Sequence, residues 1–325
     1  MPVLAALLLS LAVQDPLPKG AELALDETWS GGRIEPDRWY LPRKRWGQGN
    51  NGVIPENVRV EKEGDHFVLV CEAHGDQYDG AATGFDGAKP RVGGVAVSKR
   101  FFASGRFEVR VRIGSTQSHD GGPGDPKRPA GAVPAIWTYA YRAGPPELLS
   151  ELDFPEFGKG GNFAKGLYNA YCQTKEDTSE LDVAAVMDGA FHTLTTEWRT
   201  ALEPLDGIAD GQVVEQSGFW WIRDKAVPFE RYFGNPLKRL EKDKYSVHRG
   251  VKAVHWIDGK KVGENTRAIP CMAAQLTLGV WLPAWGGPAA WKMSTVTFGP
   301  IKVWQYHDPG DVGGILMDDL KDNFH

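Results

Sequence analysis

The stretch Arg106-Phe-Glu-Val-Arg-Val-Arg-Ile113 puts Phe107, Val109, Val111 and Ile113 on one side of an extended chain and its charged residues on the other. Successive side chains of a strand point to opposite faces, so the pattern predicts an antiparallel strand with one buried and one solvated face. Working outward, similar period-two runs occupy residues 66–72, 133–141, 166–172, 192–199, 275–281 and 294–305. Asp258-Gly259, between VHWI and KKV, is a two-residue hairpin signal, since both positions of such a turn need residues that accept positive φ. Only residues 236–242 read as a short helix. With 39 Gly and 22 Pro supplying turns, this predicts an all-β chain folded as a two-sheet antiparallel sandwich.

Composition narrows the function. The chain has 325 residues, room for one large β domain, which we place at residues 20–307. A net charge of −5 argues against nucleic acid or an anionic membrane as partner. Twelve Trp is a high count, and indole faces are suited to stacking on sugar rings. The apolar run PVLAALLLSLAV (residues 2–13) is too short to span a bilayer. With Ser10 and Ala12 at cleavage-site spacing, residues 1–13 read as a signal peptide, so a secreted or periplasmic protein without a membrane span is expected. Cys71, Cys172 and Cys271 are too scattered for a disulfide framework or a zinc site, and buried thiols are expected. Long connections at residues 73–93, 114–130 and about 200–249 could wall a cleft or be plain surface insertions. Residues 308–325 read as a loosely held polar tail, and a monomer is expected.

Glu151-Leu-Asp-Phe-Pro-Glu156 concentrates three carboxylates in a segment whose flanks favour strand. Glu151 and Asp153 share a face by parity, whereas Glu156 does not. One unpaired residue would correct this, and Pro155 suits a bulge because it donates no ladder hydrogen bond. The result would be three acids in a row. Exposed acidic triplets are common, but a row of this kind also supplies the two carboxyl groups of a glycosidase.

The order of segments resembles glycoside hydrolase family 16, the laminarinase, agarase and carrageenase-like β-jelly rolls. The resemblance runs from LDETWSGGRIEPDRW (residues 25–39) to VWQY (303–306). Between them lie NNGVIPENVRV (50–60), GGVAVSKRFFASGRFEVRVRI (93–113), GAVPAIW (131–137), ELDFPE itself and FHTLTTEW (191–198). ELDFPE is similar to the family's bulged E-x-D-x-x-E signature. The resemblance implies a concanavalin A-like jelly roll with a concave cleft, a polysaccharide substrate, and cleavage of a β-linked chain from within, with retention. It further implies Glu151 as nucleophile, Glu156 as general acid/base and Asp153 as the group between them that modulates both. Asn51, Trp137, Trp281 and Trp285 are implied at the sugar. His192 joins the cleft candidates as a support for the acid row or the sheet rather than a proton-transfer group.

The chain departs from the family pattern in places. Val133 stands where Trp is frequent, Pro155 where an aliphatic is usual, and Ser150 where Gly often precedes the first acid. A structural calcium commonly takes an Asp entering the last strand; Gly299 stands there, so neither metal nor cofactor is expected. Two other readings use the same scaffold: a transglycosylase, in which a sugar hydroxyl replaces water, and a non-catalytic sugar-binding module. The second has no use for close carboxylates, which cost free energy to hold together.

Overall fold

The computed structural model describes residues 16–117, 130–142, 147–216, 218–223 and 227–313. The expected signal segment and most of the 114–130 connection lie outside them. Among the described residues the strands form two antiparallel sheets, one of eleven strands and one of seven. The seven-stranded sheet runs Lys175–Asp182, Asn162–Cys172, Leu148–Lys159, Val133–Arg142, Ala274–Trp281, Gly94–Phe102 and Trp39–Tyr40. At the middle of the other sheet Gly105–Gln117 pairs with Met293–Gln305 and His192–Leu205. No helix among the described residues is long and apolar enough to cross a membrane.

The alternation that predicted the fold is what builds its core. Phe107, Val109, Val111 and Ile113 are all buried between the sheets. They meet Leu152, Phe154 and Phe157 from the acid-bearing strand and Leu276, Leu278 and Val280 from Ala274–Trp281. The Phe107 ring lies 5.5 Å from that of Phe154 and 6.5 Å from that of Trp198, joining the two layers directly behind the acids. Each such side chain contributes about 1.5–3 kcal/mol by leaving water.

The Asp258-Gly259 turn joins Lys244–Ile257 to Lys260–Asn265 with φ of 49° and 76°, as the sequence predicted. Residues 236–242 differ from expectation. They form the strand Leu237–Glu241, paired with Lys244–Ile257 through Leu237↔Val247. Leu237 and Val247 are buried with Leu205, Ile208, Val213 and Tyr245, and this cross-strand core overrides the local helix preference. The 200–249 insertion thus extends the eleven-stranded sheet. The described part of the C-terminal segment is also held, contrary to the loose tail expected. Asp308 accepts two hydrogen bonds from Arg199, at 2.7 and 3.0 Å, and Asp311 accepts from Ser104 and Thr200.

Beneath this clasp the Arg106 guanidinium donates to Glu197 at 2.9 Å and the Tyr306 hydroxyl to the same carboxylate at 3.0 Å. Both charges are buried. Removing one partner leaves the other uncompensated, so Glu197→Ala should lower unfolding stability by about 3–5 kcal/mol. Denaturant titration checks this; an unchanged midpoint would contradict it.

Candidate active site

The acid row is made by a bulge. Asp153 lies opposite Trp137 and Glu156 opposite Ala135, so Phe154 and Pro155 together face only Ile136. On the other flank, Leu152 pairs with Ala170 and Glu156 with Leu167, leaving three residues against two. Leu152, Phe154 and Phe157 therefore enter the core, while Glu151, Asp153 and Glu156 turn to the opposite face. The bulge packs tightly: a Cβ on Gly166 would lie 2.9 Å from the Pro155 side chain, so the neighbouring strand reaches it only with glycine there.

The row opens into a cleft of about 250 Å³. Glu151 sits between Tyr139 and Tyr171 on the two adjacent strands. Trp137, Trp46 and Trp281 also line the cleft, and the Trp46 and Trp137 rings meet edge to face at 5.8 Å. Val133, where family members often carry Trp, is packed in the same cluster as Trp46.

Asn169 is the polar partner that the sequence did not single out. Its Nδ2 donates to Asp153 Oδ2 at 2.7 Å and lies 3.3 Å from Glu156 Oε2, bridging two of the three acids. It belongs to the expected strand 166–172 and shares parity with Leu167 and Tyr171. Only the pairing register, which the sequence does not state, brings it to the acids.

Burial pushes all three carboxyls up, and their mutual repulsion adds to it at Glu151 and Glu156. Asp153, 3% exposed, is pushed up to about 7 by burial, against the opposing hydrogen bonds of Asn169 and Glu151. A hydrogen bond from Trp281 favours charge on Glu156. Burial, then the carboxylates, also raise Tyr139 and Tyr171, which remain neutral phenols. Carboxyls this close titrate as a unit, so near neutral pH the row holds both proton and charge. That combination can donate a proton at one end and present a nucleophile at the other.

Removing the Asn169 donor makes the row give up its first proton less readily. Asn169→Ala should move the acid limb of the pH–kcat/KM profile to higher pH and lower kcat by about tenfold. Rates measured from pH 4 to pH 9 test this, and an unmoved acid limb would assign Asn169 to packing alone.

The other cleft candidates separate. Trp137 and Trp281 line the cleft, and the 38%-exposed Trp285 meets the Trp281 ring edge to face at 5.8 Å. The Asn51 side-chain amide donates to the Pro90 carbonyl, stapling two loops. His192 is a correction. It opens a strand of the eleven-stranded sheet, where its ring nitrogens meet Asp258 at 2.7 Å and Asp188 at 2.9 Å. Burial opposes its charge, but the two carboxylates outweigh that and raise its pKa. It pins the Asp258-Gly259 turn and does not touch the acid row.

The insertion contributes no described residue to the cleft lining. Its Trp221 packs with Leu148, Met272 and Val312 behind the start of the acid-bearing strand, and Asn235 accepts a hydrogen bond from Cys172 at 3.0 Å. All three cysteines are free and buried. At the position where the resemblance puts a calcium ligand, the Gly299 carbonyl accepts the Trp29 indole N–H at 2.8 Å. Glycine supplies no side-chain oxygen at that position.

No protein-family model matches the sequence, and no curated protein matches it. Solved structures match by fold. An endo-1,3-β-glucanase (laminarinase) catalytic domain from Thermotoga petrophila is 15% identical, with a TM-score of 0.55 over 88% of this chain and 98% of that one. A prokaryotic β-1,3-1,4-glucanase (lichenase) from a mouse hindgut metagenome is 16% identical, TM-score 0.53, over 88% and 98%. A Bacteroides ovatus mixed-linkage glucan GH16 protein in complex with a G4G4G3G product is 14% identical, TM-score 0.52, over 86% and 99%. The chain shares the jelly-roll sandwich of these enzymes.

Proposed function

We propose that this chain is a glycoside hydrolase of family 16 that cleaves a β-linked polysaccharide internally and with retention. The observation that carries the reading is the row Glu151–Asp153–Glu156, turned by a bulge into a cleft lined with Trp and Tyr. In this reading Glu156 protonates the glycosidic oxygen as Glu151 attacks the anomeric carbon, releasing the leaving chain and forming a covalent glycosyl-enzyme. Glu156, now ionised, takes a proton from water. That water's oxygen attacks the same carbon, frees Glu151 and restores the starting state. Asp153, held by Asn169, sets how the remaining proton is shared. The aromatic walls orient sugar rings so that the reacting atoms start close together.

The apolar run at residues 2–13 supports export, where polymeric substrates are met. Three elevated carboxyls in one row speak against a purely binding role, because a lectin gains nothing from their repulsion. Reducing-end release from laminarin, lichenan, agarose and carrageenan, with product sizes followed in time, tests the proposal. A fast fall in chain length on at least one polymer is expected. Retention on these polymers without any release would identify a binding module instead.

A further inference from the structure

Resting on the hydrolase reading, we infer that Arg91 is a positioning residue for the acid row: it locks together the two loops that clamp Trp281, the hydrogen-bond donor to Glu156. The Arg91 side chain is 19% exposed and reaches both loops. Its Nε donates to the Gly49 carbonyl at 2.7 Å. In the loop that follows Trp281, its Nη1 donates to Gly287 and its Nη2 to Leu282, Pro283 and Gly287, each at 3.4 Å. Asp76 Oδ1 lies 3.6 Å from the same guanidinium, and Asp76 Oδ2 accepts the Ala289 N–H at 2.9 Å, so the far end of that loop is tied in as well. The planar fork of arginine carries five donors and can hold two loops at once. Lysine keeps the charge but gathers its donors at one flexible point.

Trp281 sits where the two loops meet. The Ala284 N–H donates to the Gln48 carbonyl at 3.2 Å, closing one loop on the other. Gly47, at φ 64°, packs so close to the indole that a Cβ there would fall 2.7 Å from the ring. Trp281 is thereby held half-buried in the cleft lining, with its hydrogen bond aimed at Glu156. A donor is only as precise as the shell that fixes it, and small displacements at a reacting centre are costly. Arg91 lies outside the cleft lining, so its effect on the reaction passes through Trp281.

The test compares Arg91→Lys with Arg91→Ala, each alone and combined with Trp281→Phe, on the polymer cleaved fastest. A displaced Trp281 no longer favours charge on Glu156, so the basic limb of the pH–kcat/KM profile should move to higher pH. The other titratable groups around Glu156, namely Glu147, Glu151, Asp153, Tyr139, Tyr141 and Tyr171, are unaltered by these substitutions. Arg91→Lys, which keeps the charge, should move that limb and lower kcat/KM by about threefold or more, and Arg91→Ala by about tenfold. In Trp281→Phe the limb is already raised, and adding Arg91→Lys should move it no further. A limb moved by Arg91→Ala but not by Arg91→Lys would mean that the arginine acts through its charge. Additive shifts in the double variant would mean that it acts elsewhere, and either result overturns the proposal. Hydrogen exchange gives an arm independent of turnover. Arg91→Lys should speed exchange at residues 46–50 and 282–289 by about threefold or more while residues 107–113 stay protected. Unchanged exchange at both loops overturns the proposal, even where Arg91→Ala fails to fold. Absence of cleavage on every polymer would count against the hydrolase reading instead, and the exchange would still decide whether Arg91 holds the loops.

Discussion

Glu151→Gln is expected to lower turnover by several orders of magnitude, about 4 kcal/mol or more of lost transition-state stabilisation at about 1.36 kcal/mol per factor of ten. The amide keeps the shape of the side chain but cannot form the glycosyl ester. Substantial wild-type-like turnover in purified Glu151→Gln would remove it from the nucleophile role. The same variant should be at least as stable as the wild type at pH 7. The native row holds its protons above the carboxyl values of the unfolded chain, with Asp153 pushed up to about 7. Wild-type stability therefore falls as pH rises from about 4 through the raised native values. Replacing one acid by an amide relieves that repulsion, so the Tm advantage should be present near pH 7 and disappear below about pH 4. A lower Tm at pH 7 would show that Glu151 contributes to the fold.

Glu156→Ala should fail differently. Without a proton donor, cleavage of a natural polysaccharide should fall by about 10²-fold or more, while an activated aryl glycoside with a good leaving group should still glycosylate Glu151. Removing the base leaves the second step slow, so azide should restore turnover and yield the β-glycosyl azide. The checks are rates with and without azide and NMR of the product. If azide has no effect and activated and natural substrates suffer equally, Glu156 is not the acid/base.

Much of this was legible because burial imposes periodicity. The run from Phe107 to Ile113 has one buried face and one solvated face, so its strand character could be read directly. Pro155 marked the bulge because a residue without an N–H fits there, and the observed register places the acids as that reading required. Asn169 escaped notice because its role comes from the partner strand's register. His192 was misassigned because segment order along the chain does not say which sheet a strand joins. The hydrogen bond from Asn51 to Pro90 was not legible either, because it is made across a long loop. Residues 236–242 show the limit of local propensity, since the pairing of Leu237 with Val247 outweighed it.

The central claim is that Glu151 forms a covalent bond to sugar. Incubating the wild-type protein with an activated 2-deoxy-2-fluoro-β-glycoside of its preferred oligosaccharide should trap that intermediate, because fluorine slows its hydrolysis. Mass spectrometry of the digested protein should find one added glycosyl group on the peptide bearing Glu151, and none on Glu151→Gln. A label on another residue, or none on a protein that cleaves the parent polymer, would contradict it.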